Sequence, residues 1–240
     1  MNNNNVTVIG DTHGTLHWKN IVTKTKPFTK SYIFVGDYCD SYFLEPPKII
    51  ENLKELIHFA RYTPNVHLCL GNHEYHYLNL TAQRYSGYRK DYAGAYYEVL
   101  DDAIDLFKIA YTLKDTKNKL QDIIVSHAGI TKSWLYNCAI NSVDSINAAF
   151  KRTPEHFDFQ VYVLRCNTSK RYARSNYGDD IFQGPLWVRP NSLMRNKITG
   201  TKQIIGHTQV PEVTYYGKQI INVNTDKDNG YITLPERIVC

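Results

Sequence analysis

The sequence predicts a mixed α/β fold, and three observations carry that prediction. Short β-branched or aromatic runs such as Val6-Thr7-Val8-Ile9 and Tyr32-Ile33-Phe34-Val35 each stop at a glycine, the pattern of buried parallel strands that hand the chain to a loop. After the second run, Ile49, Ile50, Leu53, Leu56, Ile57 and Ala60 recur at three- and four-residue steps behind Pro46 and Pro47, which marks an amphipathic helix opened by proline. Near the end, residues 213–216, 219–223 and 231–234 alternate in short runs separated by Gly217 and by Asp226-Lys227-Asp228-Asn229-Gly230, as the strands and hairpin turns of a second sheet do.

Length and composition bound the rest. A chain of 240 residues, 42% hydrophobic and 21% charged, can bury a core without disulfides or a structural metal. It reads as one domain over residues 6–240, behind a disordered tail at residues 1–5. Cys39, Cys69, Cys138, Cys166 and Cys240 are scattered and form no CxxC pair, which excludes a disulfide framework or zinc ribbon and points to a reducing, cytoplasmic setting. No stretch approaches the roughly 20 apolar residues that span a bilayer, so no membrane role is expected. The formal charge of +5 is uneven, because residues 161–202 carry eight Lys and Arg against Asp179 and Asp180. Such a block is either a solvated surface or a positive substrate rim that attracts a phosphate-bearing ligand.

In chain order, the first strand ends in Gly10-Asp11-Thr12-His13-Gly14. An extended backbone there points Asp11 and His13 the same way. The second ends in Gly36-Asp37-Tyr38-Cys39-Asp40, and the third, Val66 to Leu70, runs into Gly71-Asn72-His73-Glu74. These three are expected at one carboxyl edge of a parallel sheet, where sites are built. From Tyr75 to about Leu113 the pattern reads as helical, with Val99, Leu100, Ala103, Ile104, Leu106 and Phe107 as a packed face. His58, His67 and His76 are read as surface or supporting histidines. A fourth strand, Ile123 to Val125, ends in Ser126-His127-Ala128-Gly129, and a fifth, Gln203 to Ile205, in Gly206-His207-Thr208. Trp187 and Arg189 lie between Pro185 and Pro190, and this rigid setting makes Arg189 the best-placed phosphate-binding arginine.

Oxygen and imidazole donors suit hard divalent ions, and two ions about 3.5–4 Å apart need a bridging carboxylate. Asp37 is the candidate bridge. Asp11, His13 and Asp37 would hold one ion, and Asp37, Asn72, His127 and His207 the other. A water shared by two cations is acidified enough to attack phosphorus near neutral pH. His73, next to Asn72, is the candidate general acid, with Asp40 to orient it and keep it protonated.

The ordered series GDTHG, GDYCD, GNHE, SHAG and GHT resembles the calcineurin-like metallophosphoesterase superfamily, within it the phosphoprotein-phosphatase branch that includes bacteriophage protein phosphatases and symmetrical diadenosine tetraphosphatases. The resemblance implies two β-sheets sandwiched and flanked by helices in a four-layer architecture, and a site that uses manganese or iron, with zinc and magnesium also compatible. Two departures concern the substrate. That branch usually carries an arginine after the second aspartate and often another before GNHE, where this chain has Ser41 and Leu70; Arg189, Arg84, Arg89 and the basic segment are the possible replacements. Asn222-Val223-Asn224-Thr225 stands where relatives often show an aspartate, a change expected to bear on the fold edge more than on catalysis.

The leading expectation is therefore a dinuclear-metal phosphomonoesterase acting on phosphorylated Ser, Thr or Tyr in proteins. The alternative is a nucleotide hydrolase acting on diadenosine polyphosphates or nucleic-acid phosphate ends. The third is an interaction module that has lost catalysis, which the complete donor set argues against.

Overall fold

The structure, a computed structural model, describes residues 5–78, 84, 86–114, 122–152, 180–225, 228–235 and 237–239. Its first sheet contains β1 (Asn5–Ile9), β2 (Thr29–Phe34), β3 (Val66–Cys69), β4 (Phe107–Lys108) and β10 (Tyr231–Leu234), in the order β10-β1-β2-β3-β4. Its second contains β5 (Ala110–Lys114), β6 (Asp122–Ser126), β7 (Thr201–Ile205), β8 (Thr214–Tyr216), β9 (Ile220–Asn222) and β11 (Arg237–Val239), in the order β11-β5-β6-β7-β9-β8. Strands β1 to β4 are parallel, as are β6, β7 and β9.

Period-2 alternation explains how the layers stack. Val6, Val8, Ile33, Val35 and Cys69 face inward against Tyr111, Leu113, Ile123, Val125 and Ile204 of the second sheet. The intervening Ile9, Phe34 and Leu68 face outward. There they meet Trp18 and Ile21 of α1 (His17–Thr25), Ile49, Leu53 and Leu56 of α2 (Pro46–Tyr62), and Leu100 of α4 (Ala93–Asp102). Strands buried on both faces lose their alternation of apolar and polar residues, which is why β1 and β2 read as continuous apolar runs. Each such side chain, fully buried, contributes about 1.5–3 kcal/mol relative to exposure.

The outer face of the second sheet is covered by α5 (Lys132–Asn137) and α6 (Val143–Arg152), through Trp134, Ile146 and Phe150, and by Leu193 of α7 (Pro190–Arg195). Asn147 fastens α6 to β5, accepting from the Ile109 and Ala110 N–H groups and donating to the Ala110 carbonyl. Helices thus lie on both sides of two facing sheets, as the sequence led us to expect. No helix among the described residues is long and apolar enough to cross a membrane.

Two expectations change. Residues 75–113 are not helical throughout: after α3 (Asn72–Leu78) and α4, the chain turns at Ala103 and becomes β4 and β5. Leu106 and Phe107 fit a helix face by spacing, but β4 fills a place beside β3, and that pairing decides. Residues 231–234 do not join the second sheet; β10 pairs antiparallel with β1. The strands of the first three motifs share the first sheet, as expected, and those of the last two belong to the second. Of the proposed basic segment, residues 161–179 lie outside the described residues, as do residues 1–4 of the proposed tail.

Candidate active site

The five motif loops leave their strands at one end of the sandwich and meet in a cleft of about 470 Å³ lined by Asp11, His13, Asp37, Asn72, His73, Arg189 and His207 among others. Close approach there depends on glycine at two positions. Gly36 has φ of 119°, and a Cβ on it would meet Gly71 and the His127 ring at 2.8–2.9 Å; a Cβ on Gly206 would overlap Asp11 Oδ1. Several non-glycine residues at the site are also held in the left-handed region. His13, Asp37, Asp40 and His207 have φ of 43°, 52°, 57° and 62°. Backbone of this kind costs of order 1–3 kcal/mol per residue and persists where its surroundings enforce it.

What enforces it around Asp37 is Glu74, fully buried at the start of α3. Glu74 Oε2 accepts from the N–H groups of Asp37 (2.9 Å) and Gly71 (3.0 Å), and Oε1 from those of Tyr38 (2.7 Å) and Cys39 (2.8 Å). One side chain therefore organises the whole Asp37 loop. Sequence reasoning quoted this residue in the GNHE motif but gave it no task; an acidic residue following a glycine turn into a helix was the available signal.

Donor atoms converge in three groups among the described residues: two share Asp37, and the third is Asp40, His73 and His76. In the first, Asp11, His13 and Asp37 come together, with His13 Nε2 4.0 Å from Asp37 Oδ2. In the second, His127 Nε2 lies 3.4 Å from Asp37 Oδ2, 2.8 Å from Asn72 Oδ1 and 3.1 Å from His207 Nδ1, which is itself 2.9 Å from Asn72 Oδ1. The other His127 nitrogen, Nδ1, is 3.1 Å from the Val35 carbonyl, which makes Nδ1 the protonated nitrogen and turns a lone pair on Nε2 toward the cluster.

Charge states follow from burial. Burial pushes His127 down to about 4, against the pull of Asp37, and pushes His207 well below its usual value. Both are neutral donors. Burial alone would raise Asp37, but the imidazoles around it, His127 and His73 foremost, hold it below the usual carboxylate range. Neutral imidazole and ionised carboxylate are the forms a cation takes up. The donor set fits two divalent ions with Asp37 common to both.

Asp11 is fixed from across the sandwich: its carboxylate accepts from the His207 N–H at 2.9 Å and from Asn224 Nδ2 at 2.7 Å. Asn224 is buried and lines the cleft. The stretch expected to bear mainly on the fold edge thus also places a side chain against a candidate ligand.

Beside this cluster, His73 Nδ1 is 2.8 Å from Asp40 Oδ2. Burial lowers the His73 pKa, but the Asp37 charge and the Asp40 hydrogen bond outweigh it and raise it to about 9. Asp40 is braced further: His76 Nε2 lies 2.8 Å from Oδ2, and the Tyr77 hydroxyl donates to Oδ1 at 2.5 Å. His76 is wholly buried, a support rather than a surface residue.

A model of the calcineurin-like phosphoesterase family matches residues 5–211, the span that contains all five loops. The chain belongs to the calcineurin-like phosphoesterase family. No curated protein sequence matches it significantly. Among solved structures, the cold-active protein-tyrosine phosphatase of a psychrophilic Shewanella is similar at 18% identity, covering 95% of this chain and 74% of that one with a TM-score of 0.59. A protein serine/threonine phosphatase from Saccharomyces cerevisiae matches at 17% identity over 94% of this chain and 70% of that one, with a TM-score of 0.45. The Shewanella likeness is one of fold.

Seen as a calcineurin-like phosphoesterase, the chain differs at the positions that ordinarily grip phosphate. Ser41 is buried and Leu70 wholly so. Arg189 lines the cleft, 5.6 Å from the Trp187 ring centre, with Nη1 donating to Thr208 Oγ1 at 3.2 Å. Arg84 and Arg89 do not line it: Arg84 donates to the His76 carbonyl and stacks on Tyr88, and the Arg89 N–H donates to Tyr77.

Proposed function

We propose that this phosphoesterase is a metal-dependent phosphomonoesterase of phosphorylated proteins, working in the cytoplasm as one domain over residues 6–240. The observation that carries the reading is a donor cluster split by Asp37 into two groups, with His73, hydrogen-bonded to Asp40, poised beside it. Asp11, His13 and Asp37 would hold one divalent ion, and Asp37, Asn72, His127 and His207 the other. Manganese is the leading candidate, with iron, zinc and magnesium compatible with the same O/N donors. When bound, the ions supply Lewis-acid polarisation of the phosphoryl group and a water acidified for attack.

The chain's own residues do the rest. Arg189, partly buried and rigidly mounted, takes the phosphoryl oxygens in place of the arginines replaced by Ser41 and Leu70. As the water oxygen bonds to phosphorus, the ester P–O bond breaks and its electron pair leaves with the ester oxygen. His73 gives that oxygen a proton. Its Nδ1 is engaged by Asp40, and Nε2, 4.0 Å from Asp37 Oδ2, faces the reacting centre. The proton that the water gives up restores His73, and the products are inorganic phosphate and the free hydroxyl.

The test is a panel of phosphopeptides, mononucleotides and diadenosine tetraphosphate offered to manganese-loaded protein beside Asp37→Asn and Arg189→Ala. Hydrolysis of phosphopeptides that falls more than about 1,000-fold in Asp37→Asn, together with lost metal, is the expected result. Preference for the nucleotides would move the reading to a nucleotide hydrolase. No turnover by any metal-loaded preparation would end it.

A further inference from the structure

Where the family's arginine is replaced, this chain does more than lose a charge. Ser41 is buried, and its Oγ accepts from the N–H groups of Phe43 at 3.1 Å and Leu44 at 3.3 Å. That closes a tight local turn. The turn carries Tyr42 and Phe43, which are 75% and 95% exposed although both are large and apolar. Both also line the same cleft as Asp37 and Arg189. Exposed aromatics scattered over a surface need no explanation, but two adjacent ones carried on a pinned turn at the mouth of a cleft form a surface for something flat. Trp187, half-buried, lines that cleft too.

Building on the phosphomonoesterase reading, we propose that Tyr42 and Phe43 form a leaving-group subsite that selects aryl phosphomonoesters, with phosphotyrosine in a peptide as the substrate. The phosphoryl group is anchored at the floor, so only what hangs directly from the ester oxygen reaches the rings. In an aryl ester the flat ring is one bond from that oxygen. A phosphoserine offers a single methylene there, and a nucleotide places its ribose there with the base further out. The reaction balances as before. Water oxygen bonds to phosphorus, the aryl P–O bond breaks, the phenolic oxygen leaves with the electron pair and takes the His73 proton, the proton released by the water restores His73, and phosphate and tyrosine result.

Aryl esters are intrinsically easier to cleave, so a preference in the unmodified protein decides nothing. The ratio does. We would measure kcat/KM on the manganese-loaded full chain for a phosphotyrosine peptide, the same peptide carrying phosphoserine, and a nucleoside 5′-monophosphate, in wild type, Y42A/F43A and Y42F. The phosphotyrosine-to-phosphoserine ratio should fall roughly tenfold in Y42A/F43A, chiefly through KM, and be retained in Y42F. An unchanged ratio overturns the aryl subsite while leaving the phosphomonoesterase reading intact, as does a greater loss on the nucleotide than on phosphotyrosine. Turnover of none of the three by wild type overturns both.

Discussion

Asp37 and Asp40, at the floor of the cleft, are each 2% exposed, and Tyr42 and Phe43, a few residues along the same loop, are among the most exposed large side chains described. The two regions are held in opposite ways. Every oxygen at the floor is surrounded: Glu74 takes four backbone N–H groups, Asp40 is met by two histidines and a tyrosine, and Asp11 accepts from His207 and Asn224. Burying a carboxylate without such partners would cost several kcal/mol, so the floor cannot vary without compensation. The rim has no such constraint. Among the described residues, its turn is held by Ser41, whose Oγ accepts from the Phe43 and Leu44 N–H groups.

Replacing His73 probes that separation most strongly. His73→Gln should lower kcat by about 100- to 10,000-fold while bound metal, read by elemental analysis, is retained. The same variant reports the charge of the floor. With its pKa raised to about 9 from 6.5, His73 stabilises the fold fully below about pH 6.5, and this contribution is lost as pH rises through about 9. Urea unfolding of metal-free wild type and His73→Gln should therefore converge between pH 6.5 and 9.5; parallel curves would mean that the floor does not hold an imidazolium.

Asn224→Ala is the intermediate case. Without its amide, Asp11 loses a 2.7 Å donor, and metal affinity measured by chelator competition should weaken about 10- to 100-fold. No change would return this residue to the fold edge. The smallest effect belongs to the rim: Y42A/F43A should unfold within about 0.5 kcal/mol of wild type. A larger loss would show that the aromatic turn supports the floor and would erase the contrast between the two regions.

The sequence was sufficient for the strands that end in glycine, for α2, and for the list of oxygen and imidazole donors that the structure brings together. These are legible because a donor set for a small ion must be delivered from short loops at strand ends, and both the strand and the loop are local patterns. Asp40 and His73, which the structure brings into hydrogen-bond contact, likewise sit in two motifs recognisable in the sequence. Tertiary structure alone decided the rest. Which edge a segment pairs with depends on the rest of the fold, which is why β4 and β5 read as helix and β10 as part of the second sheet. The tasks of Glu74, His76 and Asn224 depend on atoms 37, 36 and 213 residues away in sequence. Buried polar groups take whatever partner the packing brings, and no period in the chain encodes that. The aromatic rim is the sharpest instance: Ser41 reads as a missing arginine in the sequence, and only the folded turn, with its rings at the cleft mouth, turns that absence into a surface.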